Sequence, residues 1–230
     1  MKALVQTFGD FLTEYGLGIL YPFFVLIGLF YHPKAYRNPA PTKGIIILVF
    51  CWFTPNIAHN KWVTYLEKKG FRTYLVNLPL LFEDFHKSAK RLDTFITKNK
   101  LKNYTLVGLS TGAVVCLYFL NFYKKWNETH RFISVGGPLH GTPAARLVFF
   151  NKKCRDMLPK SSFIRKLGEI SVPPKKMVTI SVSYDELIPE NSNKWHGAKS
   201  YTIPGWGHNS FHLSSSETYL LITKIAWEKR

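Results

Sequence analysis

The chain has little cysteine and little acidic charge, and both shortages narrow its class. Its three cysteines, Cys51, Cys116 and Cys154, are odd in number and widely spaced in 230 residues. This excludes a disulfide framework of the kind found in small secreted domains, and their spacing suggests no zinc site. The chain has 14 acidic and 31 basic residues, so its net charge is +17. Such a charge attracts anionic surfaces.

Signatures of nucleic-acid binding are also missing. No zinc finger, helix-turn-helix or RNA-binding motif accompanies the basic charge, and there is no internal repeat or low-complexity tract. With 46% hydrophobic residues, the chain can bury one sizeable core but hardly two. We therefore expect one folded domain and no nucleic-acid partner, and an anionic membrane surface is the better match for the charge.

One long apolar run lies near the N-terminus. Residues 15–31 carry no formal charge over seventeen positions, which is the short end of what spans a bilayer. Lys2, Asp10 and Glu14 precede the run and three basic residues follow it by position 43. The positive-inside bias then predicts a membrane-associated protein whose folded domain faces the cytosol. The alternative is an apolar helix or hairpin, broken at Pro22, that lies in the interface or packs on the domain.

The rest of the chain alternates between strand and helix patterns. A proline-containing stretch ends near Lys43, so we divide the chain into an apolar anchor and linker, residues 1–42, and a domain, residues 43–230. Continuous apolar runs predict buried strands, and the apolar residues between them recur at helical spacing. The pattern predicts an α/β fold with a mainly parallel sheet of about six strands flanked by helices, and an N-terminal apolar helix. The expected strands are 45–50, 71–76, 104–108, 131–135, 177–182 and 199–203, and a final helix, 214–229, is expected to start in a capping box of Ser214 and Glu217.

A serine between two glycines follows one of these strands. Residues 108–112 read Gly-Leu-Ser-Thr-Gly and separate a short apolar strand from an almost wholly apolar helix. In this context the pattern is typical of a nucleophile elbow, a turn so sharp that only glycines leave room for the neighbouring chain. We predict that Ser110 is a nucleophile.

A serine hydroxyl needs an imidazole to take its proton and a carboxylate to orient that imidazole. After a nucleophile elbow these partners follow in the order acid, then histidine. The strand at 177–182 leads into a turn with two adjacent acids, and we predict that Asp185 is the acid, with Glu186 as the alternative.

The last predicted strand ends near a histidine. His208 follows a glycine-containing turn and is the predicted general base, while His212 and His196 are competitors. His140 precedes the predicted acid, so the expected order excludes it. His208 and His212 also have the spacing of metal ligands, but Asn209 stands where a zinc protease carries glutamate. No metal or other cofactor is expected.

A tetrahedral oxyanion requires two backbone donors. The amide of Thr111, directly after the serine, is one by position. The turn after the first core strand is expected to supply the other, from Trp52 or alternatively Phe53.

Together these segments resemble the lipase and esterase branch of the α/β-hydrolase family over roughly residues 43–228. The segment Gly-Gly-Pro-Leu-His-Gly-Thr-Pro at 136–143 is the most specific, because it is similar to a segment of triacylglycerol lipase-like members. One departure concerns the oxyanion hole. Members usually have His-Gly after the first core strand, where this chain has Phe50 and Cys51.

Residues 143–176 form a cationic segment with nine basic and two acidic residues. Interspersed apolar residues make it amphipathic, so it is predicted to be either a lid that docks on anionic lipid or a solvated helical face. The sequence thus predicts a serine hydrolase of lipid or acyl-chain esters. An acyl thioesterase or acyltransferase would use the same residues, and a membrane-tethered interaction protein without turnover is the alternative outside the enzymes.

Overall fold

The computed structural model describes residues 14–16, 19, 36–50, 56–76, 78, 83–148, 152–213 and 215–228. Within them, six parallel strands form one sheet in the order β2-β1-β3-β4-β5-β6. The strands are β1 Ile45–Val49, β2 Arg72–Val76, β3 Tyr104–Leu109, β4 Thr129–Val135, β5 Met177–Tyr184 and β6 Lys199–Trp206. The predicted sheet of about six mainly parallel strands is confirmed.

Helices cover both faces of the sheet. They are α1 Asn56–Lys68, α2 Phe85–Lys98, α3 Thr111–Phe122, α4 Lys152–Asp156, α5 Ser162–Gly168, α6 Glu190–Asn193, α7 His208–Leu213 and α8 Ser216–Trp227. The predicted start of the last helix was wrong. Ser215, not Ser214, is its N-cap and accepts a hydrogen bond from the amide of Thr218. The amide of Ser215 donates to the Ser210 carbonyl. This bond holds Ser215 outside the helix, which therefore begins at Ser216.

Strand β1 shows how the two layers form. Its side chains alternate between faces, as the pleat requires. Ile47 and Val49 pack with α2 and α3, whereas Ile46 and Leu48 pack on the opposite face with α1 and α8. All four are fully buried. An uninterrupted apolar run is therefore the expected pattern for this strand, since both faces exclude water.

The described part of the predicted linker lies against the domain. Glu67 of α1 is fully buried and accepts hydrogen bonds from the Asn38 amide at 2.6 Å and the Thr73 amide at 2.7 Å. Arg37 pairs with the same carboxylate at 3.1 Å. Residues 36–40 are thus held on the domain by this buried acid, together with a bond from Arg72 to the Asn38 carbonyl.

The predicted N-terminal apolar helix lies outside the described residues, except for residues 15, 16 and 19. In the part of the chain that is described, no helix combines the length and the apolarity that crossing a bilayer requires.

The described residues of the cationic segment form two short helices, α4 and α5, with 3-10 helices at Pro143–Val148 and Pro174–Lys176. Met157, Ile164 and Leu167 are buried in the same cluster as α2 and α3. Most of the basic residues are exposed, but Lys153 is only 1% exposed and donates to Ser88 at 3.0 Å. The segment is therefore apolar towards the core and cationic outside.

Candidate active site

Ser110 lies at the sharp turn between β3 and α3. Its backbone has φ 52° and ψ −127°, a conformation that is strained for any residue with a side chain. A Cβ on Gly108 would lie 2.4 Å from the Ala113 Cα, and one on Gly112 would lie 2.1 Å from the Val49 carbonyl oxygen. Both glycines are thus required by close backbone contacts, and the turn has the geometry of a nucleophile elbow.

The structure brings Ser110, His208 and Asp185 into one hydrogen-bonded series. The Nδ1 atom of His208 lies 2.8 Å from Oδ2 of Asp185, and its Nε2 atom lies 3.0 Å from the Ser110 Oγ. An ionised carboxylate only accepts hydrogen bonds, so Nδ1 carries the proton and Nε2 is free to accept from the serine. The series can therefore remove the hydroxyl proton.

Asp185 is itself held by the backbone. Its Oδ1 atom accepts from the amides of Leu187 at 3.0 Å and Ile188 at 2.8 Å, which leaves Oδ2 for the imidazole. Glu186, the alternative acid, does not take this position. Its carboxyl group accepts from the backbone amide of His208 at 3.0 Å.

Opposing effects act on the pKa of His208. Burial lowers it, but the Asp185 carboxylate, with Glu186 and Glu14 behind it, raises it more, so the pKa lies above its ordinary value of 6.5. The carboxylates stabilise the imidazolium that proton transfer from serine would create.

The other candidate histidines are placed differently. His212 is buried with its ring 4.4 Å from that of His208, and neither ring nitrogen has a partner among the described residues. Burial and the neighbouring His208 hold the pKa of His212 well below 6.5, so it is neutral. His196 is exposed, and His140 stacks on Trp195 at 5.1 Å.

The oxyanion donors are described only in part. Thr111 is the first residue of α3, where backbone N–H groups have no partner within the helix. Trp52 and Phe53 lie outside the described residues. Phe50, part of the departure from the family pattern, is buried and packs edge-on against Trp62 at 6.2 Å.

The segment at 136–143 follows β4 and is hydrogen bonded to residues that follow β5. Thr142 donates its hydroxyl to the Leu187 carbonyl, in the loop that carries Asp185. The backbone amide of Gly137 donates to the side-chain oxygen of Asn193 at 3.0 Å. The side-chain NH2 of Asn193 in turn donates to the Ile180 carbonyl at 2.8 Å. These bonds fix the loop of the acid relative to the sheet.

Sequence reasoning missed one residue of the site, Glu14. Its carboxylate accepts from the backbone amides of Asn209 at 3.0 Å and Ser210 at 2.7 Å, directly after His208. Glu14 is only 7% exposed. No local pattern marks a contact between residues almost two hundred positions apart.

Comparisons with known proteins agree with this architecture. Residues 81–193 match the family model of Lecithin:cholesterol acyltransferase. The mature lipase BlEst2 of Bacillus licheniformis is 14% identical, with a TM-score of 0.61 over 84% of this chain and 95% of its own. Carboxylesterase CesB of Bacillus subtilis is 12% identical, with a TM-score of 0.58 over 90% and 97%. The enzyme MGS-MChE2, from a sediment metagenome of the Mar Chica lagoon, is 18% identical, with a TM-score of 0.60 over 80% and 91%. A comparison with curated protein sequences gave no significant match.

The chain is therefore an α/β-hydrolase in fold. Its resemblance to the lipase- and esterase-like α/β-hydrolases, first seen in the serine turn and the segment at 136–143, is confirmed.

Proposed function

We propose that this protein is a serine hydrolase of carboxylic esters and that its substrates are lipid or acyl-chain esters. The observation that carries the proposal is the series from the Ser110 Oγ through His208 to Asp185, at 3.0 and 2.8 Å. The lipase and esterase neighbours and the acyltransferase family match support an ester-hydrolysing or acyl-transferring enzyme in general.

The mechanism follows from these contacts. His208 Nε2 takes the hydroxyl proton as the Ser110 Oγ bonds to the acyl carbon, and the carbonyl electron pair moves to oxygen, where the Thr111 amide donates to it. Asp185 stabilises the resulting imidazolium. His208 then gives the proton to the leaving alkoxide as the ester bond breaks, and an acyl-enzyme remains. Water, deprotonated by the same nitrogen, attacks the acyl carbon and releases the acid and the free serine.

The test of the proposal is labelling with a fluorophosphonate, which reacts only with an activated serine. The wild type should be labelled, whereas Ser110→Ala should not. His208→Ala should lose labelling, and His212→Ala serves as the matched control because it removes a buried histidine one turn away. If the folded wild type is not labelled, the proposed hydrolase function is refuted. A membrane-tethered interaction protein without catalytic activity is then favoured.

Transfer of the acyl group to an alcohol is a second candidate activity. It is supported by the match of residues 81–193 to the Lecithin:cholesterol acyltransferase family. The two activities differ only in whether water or an alcohol attacks the acyl-enzyme. Product analysis with a lipid ester and an added alcohol separates them, since a transferase gives a new ester whereas a hydrolase gives only free acid.

Action at a lipid surface is supported by charge. The net charge is +17, and exposed bases cover the outer side of the cationic segment, among them Lys160, Arg165 and Lys166. We propose that this side faces anionic membrane lipid, with residues 15–31 as an anchor and the domain in the cytosol.

Vesicle binding tests this part separately. A basic side chain near an anionic surface contributes about 1 kcal/mol, so Lys166→Glu should weaken binding to vesicles with phosphatidylserine by at least about fivefold. Lys224→Glu makes the same charge change at an exposed site on α8 and should weaken it less. Equal effects of the two variants would refute the assigned face, and faster hydrolysis of short soluble esters without any vesicle effect would refute the lipid substrate.

A further inference from the structure

Glu14 makes an extensive contact with the turn that carries His208. Besides the two backbone amides, its carboxylate accepts from the side chain of Asn209 at 2.6 Å. Gly207 makes this approach possible. Its φ is +98°, and a Cβ there would lie 2.5 Å from the Glu14 Oε2. Only glycine at position 207 leaves room for this carboxylate beside His208.

A second carboxyl group completes the contact. Glu186 accepts from the backbone amide of His208 at 3.0 Å, one residue before the amides that Glu14 binds. Together the two carboxyl groups accept the successive backbone amides of residues 208, 209 and 210. Burial, together with the negative charge of Glu14, raises the pKa of Glu186 to about 7.

Stacked rings extend the contact to both strands of the site. Tyr15 stacks on Trp206 at 6.1 Å, and Trp206 stacks on Tyr184 at 5.6 Å. Tyr184 is the last residue of β5 and Trp206 the last of β6. Asp185 directly follows Tyr184. Residue 15 therefore contacts the end of β6 directly and the end of β5 through Trp206.

From these contacts we infer that Glu14 is a positioning residue for the candidate active site. Its carboxylate, hydrogen bonded to the amides of Asn209 and Ser210 at the start of α7, holds the turn that presents His208 to Ser110. Glu14 touches none of the reacting atoms and acts through His208. The inference deepens the proposed function and rests on it for its catalytic consequence, but the placement of His208 can be measured without any reaction.

The arrangement makes the site dependent on pH. The ionisable groups that face Glu14 and its partners are Glu186 and Asp185 in the loop after β5, and His208 and His212 on α7. As the pH rises through the pKa of Glu186, its carboxyl group loses its proton and the new negative charge is repelled by Glu14. The hold on the turn is then weakened, so activity should fall on the alkaline side.

NMR titration of the His208 ring tests the contact directly. Glu14 contributes to the raised pKa of this imidazole, so Glu14→Gln should lower it relative to the wild type. Glu169→Gln is the matched control, because it neutralises an exposed acid at the end of α5, and it should leave the titration unchanged. Equal His208 titrations in both variants and the wild type would overturn the inference.

Kinetics test the consequence for the reaction. Glu14→Gln should lower the maximal kcat over the whole pH–rate profile of a soluble ester by about tenfold or more with little change in KM, because misplacement of a catalytic group affects the reaction step. Glu186→Gln imitates the protonated acid and should keep its rate at pH 8.5, where the wild type declines. A wild type and Glu186→Gln with the same alkaline profile would overturn the inference. A wild type without fluorophosphonate labelling would refute the hydrolase, and the NMR titration would still decide the role of Glu14.

Discussion

Replacing Asp185 by asparagine changes one atom of the site and tests the role of the acid. In the wild type, Oδ1 accepts two backbone amides and Oδ2 accepts the Nδ1–H of His208. Asparagine has one oxygen for these three donors. Turning its NH2 group towards Leu187 and Ile188 would leave two amides facing a donor, whereas turning it towards His208 loses one bond, so the amide oxygen stays with the backbone.

The NH2 group then faces the imidazole and can only donate to Nδ1. His208 must move its proton to Nε2, where it can no longer accept from Ser110. When the wrong tautomer is imposed in this way, kcat falls by about 10⁴-fold, or about 5 kcal/mol in the barrier. We expect Asp185→Asn to show a loss of this size with an unchanged fold.

Hydrolysis of a soluble p-nitrophenyl ester and the rate of fluorophosphonate labelling measure this loss, and thermal unfolding verifies the fold. Glu169→Gln is the control, because it makes the same kind of change, carboxylate to amide, at an exposed acid at the end of α5. Asp185→Asn with a rate within about tenfold of the wild type would refute the assignment, since simple loss of one hydrogen bond would explain so small an effect.

Three further predictions follow from burial and charge. Gly112→Ala places a methyl group 2.1 Å from the Val49 carbonyl and should cost about 3 kcal/mol or more of unfolding free energy, while Gly168→Ala, with no atom within 4 Å of its Cβ, should cost little; similar melting temperatures would contradict this. Burial lowers the pKa of Lys153 from 10.5 to about 8, so the wild type gains stability as pH rises from about 8 to about 10.5. The free energy of unfolding of Lys153→Met should therefore exceed that of the wild type most at pH 7, by up to about 3 kcal/mol. A stability difference that does not shrink towards pH 10 in denaturant unfolding would contradict the buried charge. Finally, kcat/KM should fall as pH drops through the raised pKa of His208, and a midpoint below 6.5 in the pH–rate profile would show that the carboxylates do not act on the ring.

The sheet was predictable because its strands carry their signal locally. β1 and β3 are continuous apolar runs, as burial on both faces requires. The serine turn was predictable for a related reason, since Gly108 and Gly112 are imposed by atoms of the same turn and of β1. The order of acid and histidine along the chain then pointed to Asp185 and His208, which the structure places in contact with each other.

Other features depend on contacts that no local pattern records. The N-cap of α8 differed by one residue because a bond from Ser215 to Ser210 sets where the helix begins. Glu14 was seen only as an acid before an apolar run, because its partners lie at the other end of the chain and its bonds are mostly to backbone amides, which have no sequence signature. The same limit applies to the oxyanion donor expected at Trp52.

The order of the strands also determines when the site is assembled. The turn at Ser110 contacts β1, β3 and β4, where its amide donates to the Val135 carbonyl, whereas Asp185 and His208 follow β5 and β6. Because chains emerge from the ribosome N-terminus first, the serine turn can fold while its partners are still unsynthesised. Under the proposed mechanism, Ser110 is therefore not activated until His208 has been synthesised. A chain that ends before residue 208 is inactive even if its remaining strands pair normally.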